Sequence, residues 1–267
     1  MRNVEVSEIQ CKTILNRSKM EFSDYTLNAY QGCVFGCSYC YVPVMRARRG
    51  QIDETRWGGW VQVKVNAPDV LRRQMLRVEP HERISIGTAT DSWQPLEKRY
   101  EISRRILQEL AHYPNPVHVL TRSPLLIRDI DVLTRIENLK VGVSLPSFDE
   151  DVRRVFEPDA PAFAGRVNLV RRLVDAGLHV SLFFCPILYG VMDNTESIRD
   201  YARRASELGV RRIIWDTLNY TEMLWKPHLG LLQEYRKLKH APLRPSLTRA
   251  ELKREMQRWS REYGLVV

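Results

Sequence analysis

No run of about 18 apolar residues occurs anywhere in the chain, which argues against a membrane-spanning helix. The opening stretch MRNVEVSEIQCKTILN has no apolar core of the kind a secretory signal carries. The expected setting is therefore cytoplasmic, where grouped thiols serve metals or catalysis more often than disulfides. Low-complexity tracts are missing, and so is any repeat beyond an alternation of short strands with helices. Cysteine is scarce, with five among 267 residues. A chain of this length buries a sizeable core without disulfide staples. Its 44% hydrophobic and 27% charged content is ordinary for a soluble globular protein.

Acidic balance is also missing. The net charge is +9 and the pI about 9.4, which favours an anionic partner such as nucleic acid. Much of the excess sits in doubled arginines, at 72–73, 104–105, 153–154, 171–172, 203–204 and 211–212. Most of these fall in amphipathic helical patterns, where long arginine stems cover apolar surface and the heads stay in water. The stretch MRARRGQIDETRWGGW combines Arg46, Arg48, Arg49 and Arg56 with Trp57 and Trp60. Cations interleaved with aromatics suit phosphates and bases, and equally suit a loop packed over a barrel mouth.

Residues 1–24 read as a polar extension packed on the main body. DYTLNAY, from residue 24, reads as a strand entering a cysteine loop, and VQVKVN at 61–66 as a half-buried strand. A helix follows from Ala67 with Pro68 in its first turn. From residue 84 the pattern becomes regular. ISIGTAT, VHVLTRS, KVGVSLPS, HVSLFFCPI and VRRIIWDT read as strands. SRRILQELAHY, LLIRDIDVLTRI, AGRVNLVRRLVDAG and TESIRDYARRASELG read as the helices between them. Such alternation predicts a parallel sheet with helices outside. Counting the strand at 25–31 gives about six βα units, short of the eight a closed barrel needs. The expected class is α/β, a partial (β/α)6 TIM-like barrel. A last helix, SLTRAELKREMQRWSREYG, opens with a capping box of Thr248 and Glu251.

Three of the five cysteines, Cys33, Cys37 and Cys40, stand in QGCVFGCSYCYVP, and no fourth cysteine or histidine follows nearby. Structural zinc takes four protein ligands; the sulfur available to complete the set is the distant Cys185, at the end of the fifth strand. A cuboidal iron–sulfur cluster instead takes three cysteines for three irons, leaving the fourth iron to a small molecule. In α/β barrels chemistry collects at the C-terminal ends of strands. Here those ends carry Thr88, Thr90, Asp91, Gln94 and Glu97, then Thr121, Arg122 and Ser123, then Ser144 and Ser147, then Cys185 and Pro186. A carboxylate, a cation and hydroxyls around an open iron suit a zwitterion with a ribose, and S-adenosylmethionine fits that description.

Cys-x3-Cys-x-aromatic-Cys is the signature of radical S-adenosylmethionine (SAM) enzymes, and the chain resembles that superfamily. GCSYCY, TDSWQPLE, FEPDAPAFAGRVNLVRRLVDAG and the PI at 186–187 resemble its spore photoproduct lyase branch, including the shorter DNA repair photolyase-like relatives. The likeness runs from about residue 24 to about residue 220. It implies a radical SAM core over 25–220, an N-terminal extension at 1–24 and a C-terminal helical extension at 221–267. It implies a [4Fe–4S] cluster on Cys33, Cys37 and Cys40. S-adenosylmethionine would be cleaved reductively to a 5′-deoxyadenosyl radical, which takes hydrogen from a substrate carbon.

The resemblance also distributes roles. Tyr39 matches the motif aromatic beside the adenine. Thr90 and Asp91 match the contact to the methionyl amino group. Arg122 stands where the family usually has lysine and would face the carboxylate, bidentately if its fork is used. Ser144 matches the fourth-strand residue near carboxylate or ribose. Tyr39 and Tyr41 stand for a tyrosine pair. Thr88 stands where spore photoproduct lyase has its hydrogen-donating cysteine, and a threonine hydroxyl is a far poorer hydrogen-atom donor. The expected partners are a DNA lesion or related nucleic acid and an electron donor such as flavodoxin or ferredoxin. Two other readings stand beside this one: radical modification of a protein or small molecule, and a zinc-stabilised nucleic-acid-binding module without catalysis.

Overall fold

The structure is a computed structural model that describes residues 4–51, 56–219, 221–239 and 246–267. In chain order the strands and helices are β1 (Glu5–Ile9), β2 (Leu15–Arg17), β3 (Tyr25–Leu27), β4 (Tyr30–Gly32), α1 (Tyr41–Arg48), β5 (Trp60–Lys64), α2 (Ala67–Met75), β6 (Ile84–Ile86), α3 (Glu97–Tyr100), α4 (Ile102–Leu110) and β7 (Val117–Thr121). They continue with a 3-10 turn (Pro124–Asp129), α5 (Ile130–Leu133), β8 (Leu139–Ser144), α6 (Glu150–Phe156), α7 (Phe163–Asp175), β9 (His179–Ile187), α8 (Thr195–Glu207), β10 (Arg212–Thr217), α9 (Thr221–Lys239) and α10 (Arg249–Glu262). β3, β6, β7, β8, β9 and β10 follow one another through the larger sheet in chain order, the strand order of a partial (β/α)6 barrel. Their burial patterns explain the order. β6 is buried at every residue and β8 at all but one, as strands covered on both faces must be. No helix among the described residues is long and apolar enough to cross a membrane.

The chain divides into two compact units. The first comprises residues up to Phe35, Asp53–Gly142 and Arg172–His179. In it β3 pairs in parallel with β6, and β6 with β7. The N-terminal extension belongs to these sheets: β2 runs antiparallel to β3, and β1 pairs in parallel with β5. The strand expected over 25–31 is two strands in two sheets. β3 ends at Leu27, and β4 turns away to pair antiparallel with β5. Asn28 makes the break. Its side chain donates to Thr88 Oγ1 (3.2 Å) and accepts from Ala89 N (2.9 Å), while its carbonyl accepts from Lys64 Nζ (2.8 Å). A residue held on three sides by other segments leaves the ladder.

The helix expected over LLIRDIDVLTRI is a 3-10 turn followed by the four residues of α5. Asp129 lies within that turn, fully buried, and accepts from Trp93 Nε1 (2.8 Å), Arg104 (3.0 Å) and Arg128 (2.8 Å). Drawing this carboxylate inward accounts for the tighter winding. Glu97 is a second buried carboxylate. It takes the Tyr30 hydroxyl and the backbone N–H groups of Ser103 and Arg104, both at 3.1 Å, and so caps the start of α4.

The second unit comprises Gly36–Ile52, Val143–Arg171 and Val180–Val267. β9 pairs in parallel with β10. α10 packs on α8, and its capping box of Thr248 and Glu251 forms as the sequence predicts. Many doubled arginines serve as helix-face partners. Arg203 pairs with Asp200 at 2.7 Å, Arg204 with Asp200 at 2.8 Å and Arg154 with Asp151 at 3.0 Å. Exposed pairs of this kind contribute about 0–1 kcal/mol each.

Gly87, just past β6, has φ +85°, and a Cβ there would press far inside contact distance of the Leu120 carbonyl oxygen. Gly87→Ala is therefore expected to destabilise the chain by at least about 1–3 kcal/mol. The check is urea denaturation against the parent.

Candidate active site

In the first unit the cysteine loop begins at Gly32, whose φ is +79° and whose missing side chain lets it lie against the Trp60 carbonyl. The loop has no ladder of its own, so the segment after β6 supplies its hydrogen bonds. Thr90 Oγ1 donates to the Gly32 carbonyl at 2.5 Å, and Gln94 Oε1 accepts from Val34 N at 3.0 Å. Gln94 Nε2 donates in turn to Thr90 Oγ1 at 3.3 Å. Cys33 is buried. Burial first, and then the charge of Asp91, push its thiol up from the ordinary value; backbone N–H groups of Asp91 and Phe35, and the charge of Arg122, pull it down.

Asp91 is itself held. It accepts from Trp93 N (2.9 Å), Thr121 Oγ1 (2.7 Å) and Arg122 N (2.9 Å), which fixes the end of β7 to the end of β6. Three of its roughly four lone-pair positions are thereby used. Arg122, half-buried, leaves β7 at this joint. Thr88 is half-buried and accepts from Asn28.

In the second unit the loop continues through Cys37, which is buried, and Cys40, which is half-buried and immediately precedes α1. Cys40 N donates to the Cys37 carbonyl at 3.1 Å. Ser38 donates twice to the Phe156 carbonyl, from N and from Oγ, both at 3.0 Å. The Tyr39 hydroxyl donates to Glu157, and Glu157 pairs with Arg166. Both charged side chains are fully buried. Arg166 also donates to the carbonyls of Ser144 (3.1 Å) and Pro161 (3.0 Å), so the end of β8 is held by the same guanidinium. Tyr41 opens α1 and is 39% exposed.

The structure thus brings Thr90, Asp91 and Arg122 round Cys33, and ties Tyr39 and Ser144 together through Glu157 and Arg166. The basic-aromatic stretch divides: Arg46 and Arg48 lie on α1, while Trp57 and Trp60 meet edge to face at 6.1 Å in the first unit; residues 52–55 lie outside the described residues. Cys185 donates to the Ile214 carbonyl at 3.5 Å, and burial, then Asp216, push its thiol up. None of the five cysteines is in a disulfide. No three His, Cys, Asp or Glu side chains among the described residues are grouped to hold one metal ion.

The sequence reading missed the partner of Tyr39. FEPDAPAFAGR is legible as a motif, but nothing in it tells that Glu157 meets a tyrosine 118 residues earlier.

Residues 27–205 match the Radical SAM superfamily, and the chain belongs to it. Its cofactors are accordingly a [4Fe–4S] cluster and S-adenosylmethionine, and the zinc-module reading is set aside. Among sequence relatives, an uncharacterized protein of Methanocaldococcus jannaschii is 27% identical over 190 residues, 71% of this chain and 70% of that one. An uncharacterized protein of Mycobacterium tuberculosis is 27% identical over 275 residues, 97% of this chain and 81% of its own. Among solved structures, a spore photoproduct lyase mutant with bound AdoMet and dinucleoside spore photoproduct shares the fold with a TM-score of 0.72 at 16% identity, covering 98% of this chain and 80% of that one. SuiB of Streptococcus suis bound to precursor peptide SuiA gives 0.51 at 10% identity, covering 91% and 48%.

Two substitutions probe the supports of the loop. Glu157→Gln leaves the buried Arg166 without its counter-charge and is expected to lose about 3–5 kcal/mol in chemical denaturation. Gln94→Leu leaves the Val34 N–H without its acceptor, with an expected loss of about 1–3 kcal/mol. It should also bind less iron per chain after anaerobic reconstitution, which colorimetric iron analysis reads directly.

Proposed function

We propose that this radical SAM enzyme acts on a nucleic-acid substrate, a damaged or modified base, with Cys33, Cys37 and Cys40 as the cluster ligands. The observation that carries the cluster assignment is the motif itself together with its surroundings. None of the three thiols is in a disulfide, and Cys33 and Cys37 are buried. When bound, the cluster and S-adenosylmethionine supply a 5′-deoxyadenosyl radical that removes hydrogen from a substrate carbon. The core that performs this is residues 25–220, with 1–24 and 221–267 as extensions.

The chain's own residues bind and orient. Arg122 offers a fixed positive charge to the S-adenosylmethionine carboxylate. Thr90 and the remaining lone pair of Asp91 face the amino group, and Asp91 also fixes the Arg122 backbone. Ser144 takes the carboxylate or ribose. Tyr39 presents its ring toward the adenine while Glu157 holds its hydroxyl, and Tyr41, more exposed, faces the substrate. The nucleic-acid assignment is supported by the net charge of +9 and by the fold likeness to a lyase whose structure holds a dinucleoside lesion. The electron donor is a small reducing protein such as flavodoxin or ferredoxin.

Thr88 sets the limit of the analogy. A hydroxyl O–H bond is stronger than a thiol S–H bond, so Thr88 does not return a hydrogen atom as a cysteine would. The reaction therefore ends differently from lesion repair by a donor thiol. That departure keeps a second reading open, radical modification of a protein or small molecule.

The test is anaerobic purification with iron and sulfide reconstitution, then assay of 5′-deoxyadenosine formed from S-adenosylmethionine with dithionite. About four irons per chain, and product that disappears in Cys37→Ala, are expected. One zinc per chain with no 5′-deoxyadenosine would overturn the assignment. Damaged and undamaged oligonucleotides added to the same assay then separate the two substrate readings by which of them raises product formation.

A further inference from the structure

Trp225, on α9, is 41% exposed, yet its ring is braced. One side stacks on the His228 ring, with centroids 5.6 Å apart and planes 30° apart. The Tyr189 ring meets it edge-on at 5.8 Å and 69°. His228 is only 4% exposed, with Nε2 2.9 Å from the Tyr189 carbonyl, and the Phe156 ring lies 5.6 Å away at 31°. Burial pulls the His228 pKa below its ordinary value, so the imidazole is neutral at pH 7 and acts here as a flat spacer.

This stack begins at the cysteine loop. Phe156 is the residue whose carbonyl accepts both hydrogen bonds of Ser38, and Ser38 stands between Cys37 and Cys40. Two ring-to-ring steps of 5.6 Å thus lead from the support of the loop to the exposed indole. Tyr189 stands two residues past the end of β9, and α9 follows β10. The group lies past the C-terminal ends of two strands, the end at which βα barrels place their chemistry.

The surroundings choose the occupant. α9 carries Lys226, Arg236, Lys237 and Lys239 against Glu222 and Glu234, and of these cations Lys239 is already paired with Asp149 (3.0 Å) and Asp151 (2.7 Å). An exposed, rigid aromatic face on a cationic helix suits a polyanion that bears flat rings. Stacking of a base on such a face tolerates any sequence, because every base has a π-face.

We propose that Trp225 is a stacking platform for an unpaired base of a nucleic-acid strand, backed by His228, Tyr189 and Phe156. The inference rests on the nucleic-acid reading above and adds to it a site on α9. Its test is fluorescence anisotropy of the cluster-loaded full-length chain with a labelled single-stranded oligothymidylate and with an abasic strand of the same length. The abasic strand keeps the phosphates and removes the rings. The wild type is expected to prefer the base-bearing strand by about tenfold, within the range that stacking of one base supplies. Trp225→Ala should lose most of that preference and keep its affinity for the abasic strand, while Trp225→Phe should keep most of the preference. An undiminished preference in Trp225→Ala would overturn the platform and leave the nucleic-acid reading standing. Equal binding of both strands by the wild type would do the same. Binding of neither strand would overturn both.

Discussion

The ion pair of Glu157 and Arg166 is fully buried. A charge in that position is tolerated only with its partner and with hydrogen bonds on its remaining atoms. The chain meets the demand by drawing in groups from three places. Tyr39 comes from the cysteine motif, the Ser144 carbonyl from the end of β8, and the Pro161 carbonyl from the approach to α7. The Arg166 guanidinium also lies 4.8 Å over the Phe163 ring. One electrostatic requirement thereby fixes a motif aromatic, a strand end and the loop before α7 in a single arrangement.

The first unit meets the same problem with weaker bonds in greater number. Its part of the cysteine loop has no regular structure, so every N–H and carbonyl needs a partner from elsewhere. Thr90 and Gln94 supply them, and Asp91 spends three hydrogen bonds on joining the ends of β6 and β7. Residues proposed above as ligand contacts are thus also the scaffold of the loop. The two duties are compatible, because a side chain locked by its own hydrogen bonds presents its remaining atoms in a fixed direction.

Function follows from what the scaffold leaves to be varied. The cluster loop and its supports define the radical SAM class, while the residue at position 88 is a threonine that accepts a hydrogen bond from Asn28. The aromatic stack from Phe156 to Trp225 extends the same logic outward, with a buried neutral imidazole carrying the orientation of an inner ring to an exposed one.

Much of this was legible in the sequence for a physical reason: periodicity and ligand spacing are local properties. Alternating apolar strands and amphipathic helices foretold six parallel strands, and Cys33, Cys37 and Cys40 foretold the cofactors. Thr248 and Glu251 foretold a cap that forms as written. The failures are equally specific. DYTLNAY reads as one strand because nothing local shows that Asn28 will be held by Thr88, Ala89 and Lys64. LLIRDIDVLTRI reads as one helix because its apolar spacing does not show that Asp129 will be pulled inward by Trp93, Arg104 and Arg128. Sequence alone determined the alternation of strands and helices and which cofactors they serve. Only the tertiary structure decided that Glu157 also takes the Tyr39 hydroxyl, Glu97 that of Tyr30 and Asp129 the indole of Trp93, because those partners lie 118, 67 and 36 residues apart and are joined by the requirement that no buried polar group be left unpaired.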